Sequence, residues 1–168
     1  MIALVVAGAP PAGLGERAAA VHEVLVARTL AVARGAAARV EVAATVAAAL
    51  ALAEPGPLLV LPAICPRIAG AHVAAAVADL GAGCDAVYGP TLEGDWYLAG
   101  LREPRPDLLD LAALRSGGIG AVLEQARAHD ASVGLLRHER VLTTPADADA
   151  LIADPLVDAE LRAALSVA

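Results

Sequence analysis

Apolar positions run along this chain in two patterns: short unbroken runs of strand length, and longer stretches in which they recur every three or four residues. Met1 to Ala7 and Pro57 to Leu61 are the clearest runs, and unbroken apolarity predicts strands buried on both faces. Ala38 to Val42, Asp85 to Tyr88, Trp96 to Leu101 and Ser132 to Leu136 are the remaining predicted strands. Helical spacing predicts helices over Glu16 to Arg34, Ala44 to Ala53, Ile68 to Leu80 and Ile119 to His129. The breakers agree: Gly35 ends the first helix, Glu54-Pro55-Gly56 the second, and Ser116-Gly117-Gly118 precedes the last. Arg102 to Pro106 reads as a surface excursion, and from Thr144-Pro145 onward two short helices are expected, separated by Asp154-Pro155. Strand alternating with helix predicts an α/β sheet covered on both faces.

Composition narrows this picture. A chain of 168 residues with 58% apolar content suits one compact core, and much of that content is Ala, so Leu, Val and Ile must supply most of the hydrophobic stabilisation. The formal charge is -7 and the cations are all Arg, with no Lys anywhere. That balance excludes nucleic acid as a partner, because phosphate-backbone binding needs a basic face. It also excludes Schiff-base chemistry and a phosphate-loop lysine. The apolar run Val40 to Ala53 contains Glu41 and stops at Pro55, short of the roughly 20 residues a membrane span requires. With no export signal at the start, the expectation is a cytoplasmic protein that does not enter a membrane, with homo-oligomerisation left open.

Gly13-Leu14-Gly15-Glu16-Arg17 lies between the first strand and the first helix, where backbone N–H groups and the helix dipole favour a phosphate. Two functional readings are open. With Ala18 the segment spells a dinucleotide fingerprint whose ribose acid would be Glu41, making an NAD-binding protein, although the glycines trail the strand by several residues. It also resembles the loop of nucleotidyltransferases, a glycine-rich turn ending in an arginine that faces the phosphates, with Gly8, Gly13, Gly15 and Arg17 as matching positions. An ordinary glycine-rich connection with a solvent-facing Arg17 explains the same residues.

All three aromatic residues, Tyr88, Trp96 and Tyr97, fall within the segment from Asp85 to Leu101, which also carries Glu93 and Asp95. Aromatics give large rigid contact faces, and carboxylates between apolar runs can hold a metal or a sugar hydroxyl where strands open into a cleft. The histidines are less suggestive. His22, His72 and His129 sit in predicted helices without a second ligand at metal spacing, which points to surface or cap roles, and His138 reads as part of a charged turn. None of the three serines has a nucleophile-elbow context, and Cys65 reads as a small buried or loop cysteine.

Asp85-Ala86-Val87-Tyr88-Gly89-Pro90, Gly94 and Tyr97-Leu98-Ala99-Gly100-Leu101 together resemble a bacterial family of uncharacterised glycosyltransferase-like proteins with the nucleotide-diphospho-sugar transferase (GT-A) fold. In that family a strand ending in Gly-Pro is followed by an Asp-Gly-Gly-Tyr-Tyr-Leu-like motif and Gly-Leu. The resemblance extends upstream to Leu58 to Pro66, where the family carries Gly-x-Asp-x-Pro, and downstream to Thr144-Pro145-Ala146-Asp147, near an Asp-x-Asp-Thr-Pro-like segment. It implies a three-layer αβα sandwich spanning residues 1–168 as a single domain, with a mostly parallel sheet and at least one antiparallel strand at Trp96 to Leu101. A nucleotide or nucleotide sugar is the implied partner, held by Gly8, Gly13, Gly15 and Arg17, with Cys65, Pro66, Gly94, Trp96 and Tyr97 facing the substrate.

The departures concern acids. Ile64 stands where the family places a metal-binding aspartate, Glu93-Gly94-Asp95 where it has Asp-Gly-Gly, and Val141 and Thr143 where the late aspartates align. No metal is therefore assigned, and magnesium or manganese enters only if Glu93 or Asp95 replaces the lost ligands. Those two acids are the catalytic candidates of an active transferase. The expectation is a glycosyltransferase-like or nucleotidyltransferase-like protein, catalytically degenerate through loss of metal ligands, with a non-catalytic nucleotide-binding or interaction module as the alternative.

Overall fold

The computed structural model describes residues 1–109, 120–121, 123–155 and 157–166. Six strands form one mixed sheet: β1 (Ile2–Val6), β2 (Arg39–Ala43), β3 (Leu58–Pro62), β4 (Ala86–Pro90), β5 (Trp96–Leu101) and β6 (Val133–Leu135). Their order is β2-β1-β3-β5-β4-β6, and β5 alone runs antiparallel to its neighbours. The helices are α1 (Ala18–Ala36), α2 (Val46–Leu50), α3 (Gly70–Gly81), α4 (described at 120–121 and 123–128), α5 (Pro145–Ile152) and α6 (Ala159–Leu165). The expected αβα sandwich with one antiparallel strand at Trp96–Leu101 is what the chain forms. The Ser116-Gly117-Gly118 turn lies outside the described residues.

Strand alternation divides the core into two layers. Ile2, Leu4, Leu58, Val60, Ala86 and Tyr88 face one way, towards α2 and the turn at Leu108 and Leu109. Ala3, Val5, Leu59, Leu61 and Val87 face the other way and pack with Val73, Ala76 and Leu80 of α3 and Ala33 of α1. A third cluster seats α5 and α6 on α1 through Val21, Leu25, Ala148, Leu151 and Leu161. On α1 the buried residues are Ala18, Val21, Leu25, Thr29 and Ala33, a stripe at three- and four-residue spacing. No helix among the described residues is long and apolar enough to cross a membrane.

Three elements depart from the sequence expectation. The loop after β1 closes into a 3₁₀ turn, Ala12–Arg17, and Gly15 (φ 57°, ψ -130°) kinks it into α1, so the helix starts at Ala18 rather than Glu16. The second helix is only Val46–Leu50, with Thr45 capping its start by accepting the Ala48 N–H at 3.1 Å. Strand β4 runs through Gly89-Pro90 instead of turning there. Its pairing with β5 slips at that point, Gly89 opposite Leu98 but Pro90 opposite Trp96, so Tyr97 is the extra residue of a β-bulge.

Candidate functional site

The bulge decides where the aromatics go. Strict alternation along β5 would put Trp96 and Leu98 on the same face, but the extra residue leaves Tyr97 and Leu98 together on the α3 side and turns Trp96 to the α2 side. Gly89 makes this feasible, since a Cβ there would come within 2.5 Å of the Tyr97 ring. Tyr97 is fully buried, donates its hydroxyl to the Arg137 carbonyl at 3.1 Å and stacks edge-on against His72. It is a core residue, which corrects the expectation that it faces a ligand. Burial pushes its phenol well above the usual range.

Trp96 occupies the wall of a cavity of about 290 Å³ beyond the carboxyl ends of β1 and β3, lined also by Val6, Ala7, Gly8, Ala9, Val46, Pro62, Ile64, Asp95 and Thr143. This position follows from topology. From β1 the chain first crosses to β2 on one side and then to β3 on the other, and the crevice between strands whose connections leave in opposite directions is where open α/β sheets hold ligands. Trp96 is 2% exposed, so no ring face is free for stacking, but its indole N–H finds no acceptor among the described residues. A buried donor without an acceptor costs about 1–3 kcal/mol, and native proteins leave few of them.

The other candidate residues scatter. Gly8, at φ +68°, lines the cavity; Gly13, Gly15 and Arg17 do not. A Cβ at Gly13 would stand 2.9 Å from the Thr143 carbonyl, so this glycine serves a close crossing of the first loop over the 143–145 segment. Asp95 is half-buried in the cavity lining, and its backbone closes the β4–β5 turn: its N–H donates to the Thr91 hydroxyl, and its carbonyl accepts from the Thr91 N–H. Glu93 is exposed and outside the lining. Gly94, at φ +94°, makes the turn possible. Cys65 is 1% exposed within the α3-side core, and burial pushes its thiol up to about 12, so it is an inert packing residue and not a substrate contact. Pro66 is buried, and its carbonyl accepts from Arg28.

The Gly13-to-Ala18 fingerprint is not a dinucleotide turn. It forms a 3₁₀ segment set back from β1, and Glu41 lies in mid-strand, where its carboxylate accepts from Arg39 Nε at 2.9 Å. The NAD reading is corrected accordingly.

On the opposite side of the sheet edge a polar cluster was missed in the sequence. His72 Nδ1 accepts the Ala69 N–H at 3.1 Å, so a neutral His72 carries its proton on Nε2, which lies 3.2 Å from Glu139 Oε1. Arg137 Nε reaches the same oxygen at 2.6 Å; its 3.2 Å approach to His72 Nε2 is then a close contact, since that nitrogen already bears hydrogen. His72 thus caps α3, as a helix-bound histidine can. The partners lie 67 residues apart, and no local pattern announces them. Asp147 is a second buried acid. Burial works to raise its pKa, but hydrogen bonds from Thr144, Thr143 and Arg140 outweigh it and leave the carboxyl lowered; with Thr144 it forms the capping box of α5.

Among the described residues no three His, Cys, Asp or Glu side chains converge as a metal site. Ile64 and Thr143 line the cavity where the family's acids would align, and among the described lining residues Asp95 is the one carboxylate. The described donors alone do not fit a divalent ion, which demands several oxygen ligands.

Fold and crevice define a protein of the nucleotide-diphospho-sugar transferase fold. A "putative nucleotide-diphospho-sugar transferase" from Desulfovibrio desulfuricans G20 superposes with a TM-score of 0.75 at 17% identity, over 98% of this chain and 93% of that one. Rv0371c from Mycobacterium tuberculosis H37Rv matches with a TM-score of 0.55 at 16% identity, covering 92% and 98%. Its homologue from Mycobacterium sp. strain JC1 matches at 0.50 and 20% identity, covering 90% and 95%. No curated protein matches the sequence. Residues 4–114 match the family model described as uncharacterized protein conserved in bacteria (DUF2064), and the chain belongs to that family.

Proposed function

We propose that this chain is a ligand-binding member of the nucleotide-diphospho-sugar transferase fold that holds a nucleoside-containing molecule in the switch-point crevice without metal-dependent transfer. The observation that carries this reading is the lining: a formed cavity where the fold binds ligands, with Ile64 and Thr143 in place of acids and Asp95 as the one carboxylate among the described lining residues. Transfer of a glycosyl or nucleotidyl group relies on neutralising phosphate charge, and among the described lining residues there is neither a metal-ligand set nor an arginine. Fold ancestry alone does not establish turnover.

The active-transferase reading keeps one support, the presence of Asp95 in the wall. Calorimetric titration with nucleoside triphosphates and nucleotide sugars, in EDTA and then in manganese, separates the two. Binding of at least one compound in EDTA, unaltered by manganese, is the expected result. Binding that requires manganese and disappears in Glu93→Gln or Asp95→Asn would restore the transferase.

A further inference from the structure

We propose that the chain forms a two-fold dimer through β2, whose outer edge pairs antiparallel with β2 of a second copy and joins the two sheets into one. Among the described residues β2 ends the sheet, with β1 as its strand neighbour. In the parallel register with β1 the Ala43 carbonyl accepts the Ala7 N–H at 2.9 Å, so by alternation Arg39, Glu41 and Ala43 direct their backbone groups to β1. Val40 and Val42 then direct theirs away from the sheet. An edge strand presenting such a row of N–H and C=O groups is a template for another strand. The side chains agree: Val42 is 51% exposed on the face opposite α2, although α1 and α3 cover that face further into the sheet. The other edge, β6, offers three residues and no charge.

Charge selects the partner and the register. A two-fold axis at Val40 sets that residue opposite its own copy and Val42 opposite Ala38 of the partner subunit, so the outward backbone groups meet one another. The same axis places Arg39 opposite Glu41 of the partner subunit, and Glu41 opposite the partner subunit's Arg39. These fall at non-hydrogen-bonded positions, where facing side chains come closest. An axis at Glu41 would satisfy the outward backbone equally well but would set that carboxylate against its own copy. Within the chain Arg39 already bonds Glu41 at 2.9 Å and also Glu54, and all three remain solvated. Its guanidinium carries five donors, so dimerisation extends an existing pair into a network across the axis. On the other face Val40 and Val42 of the two copies adjoin and cover the exposed Val42. Few residues pair, so the dimer is expected to depend on concentration.

Sedimentation velocity over a concentration series tests this on the full chain, with circular dichroism to establish that each variant is folded. Wild type should pass from the mass of one chain to twice that mass as concentration rises. Arg39→Glu and Glu41→Arg each bring like charges together at both ends of the pairing, and each should weaken the dimer about tenfold. Opposite signs meet again in a mixed dimer of the two variants, so their equimolar mixture should recover wild-type affinity within about threefold. Val42→Pro removes an outward N–H that β1 does not use, and should weaken the dimer about tenfold with the fold intact. A wild-type chain that stays monomeric up to about 1 mM would overturn the proposal and leave the edge to solvent or to a strand of another protein. So would a dimer that Val42→Pro and both charge variants leave intact, since it would form elsewhere on the surface. A mixture that associates no better than its components would overturn the register centred on Val40.

Discussion

The two sides of the sheet's carboxyl edge are built from neighbouring residues and have opposite characters. On the α3 side Tyr97, His72, Arg137 and Glu139 bond to one another in a polar cluster. On the α2 side Trp96, one residue earlier, borders an apolar cavity, and its N–H has no acceptor among the described residues. The bulge at Tyr97 separates them. The cluster's buried groups have their bonds already made, whereas the buried Trp96 N–H has no acceptor among the described residues. The difference supports the proposed binding side, and it runs against the expectation that the whole aromatic segment is a contact surface.

The contrast can be broken most severely from the closed side. Tyr97→Ala removes a fully buried ring and its hydroxyl bond, and should cost about 3–5 kcal/mol in a urea unfolding experiment. Gly89→Ala should cost about 1–3 kcal/mol by the same measure, since the new methyl meets the Tyr97 ring. Cβ growth at Gly8, on the cavity side, meets nothing within 4 Å; its penalty there comes from positive φ alone.

Asp147 tests the segment that joins the two sides. Asp147→Ala should cost about 1 kcal/mol through loss of the cap. Because the folded carboxyl titrates below its unfolded value of about 3.9, its stabilisation is complete above that pH and is lost as pH falls further. The gap between wild type and Asp147→Asn should therefore narrow from pH 7 to pH 3; a gap that widens would show that the carboxyl is not held ionised. The smallest effect belongs to Glu93→Gln, an exposed site outside the lining, expected within about 0.5 kcal/mol of wild type and without change in ligand affinity.

Much of the fold was legible because the apolar runs at β1 and β3 have one physical explanation, burial on both faces, and because Trp96–Leu101 was delimited by its flanking turns. Gly89-Pro90 was misread as a turn, since the need for glycine arises from a ring eight residues later in sequence and not from local conformation. The site was half legible. Ile64 and Asp95, named from the motif spacing, line one cavity, whereas the burial of Tyr97 depends on a bulge that alternation cannot reveal. Glu139 and His72 meet only through the tertiary fold.

The central claim, a transferase fold whose crevice binds without metal-dependent transfer, is met most directly by following nucleotide sugars with phosphorus NMR in manganese, with and without the protein. The account predicts that the protein adds nothing to the background loss of each nucleotide sugar. Manganese-dependent consumption that Asp95→Asn abolishes would contradict it.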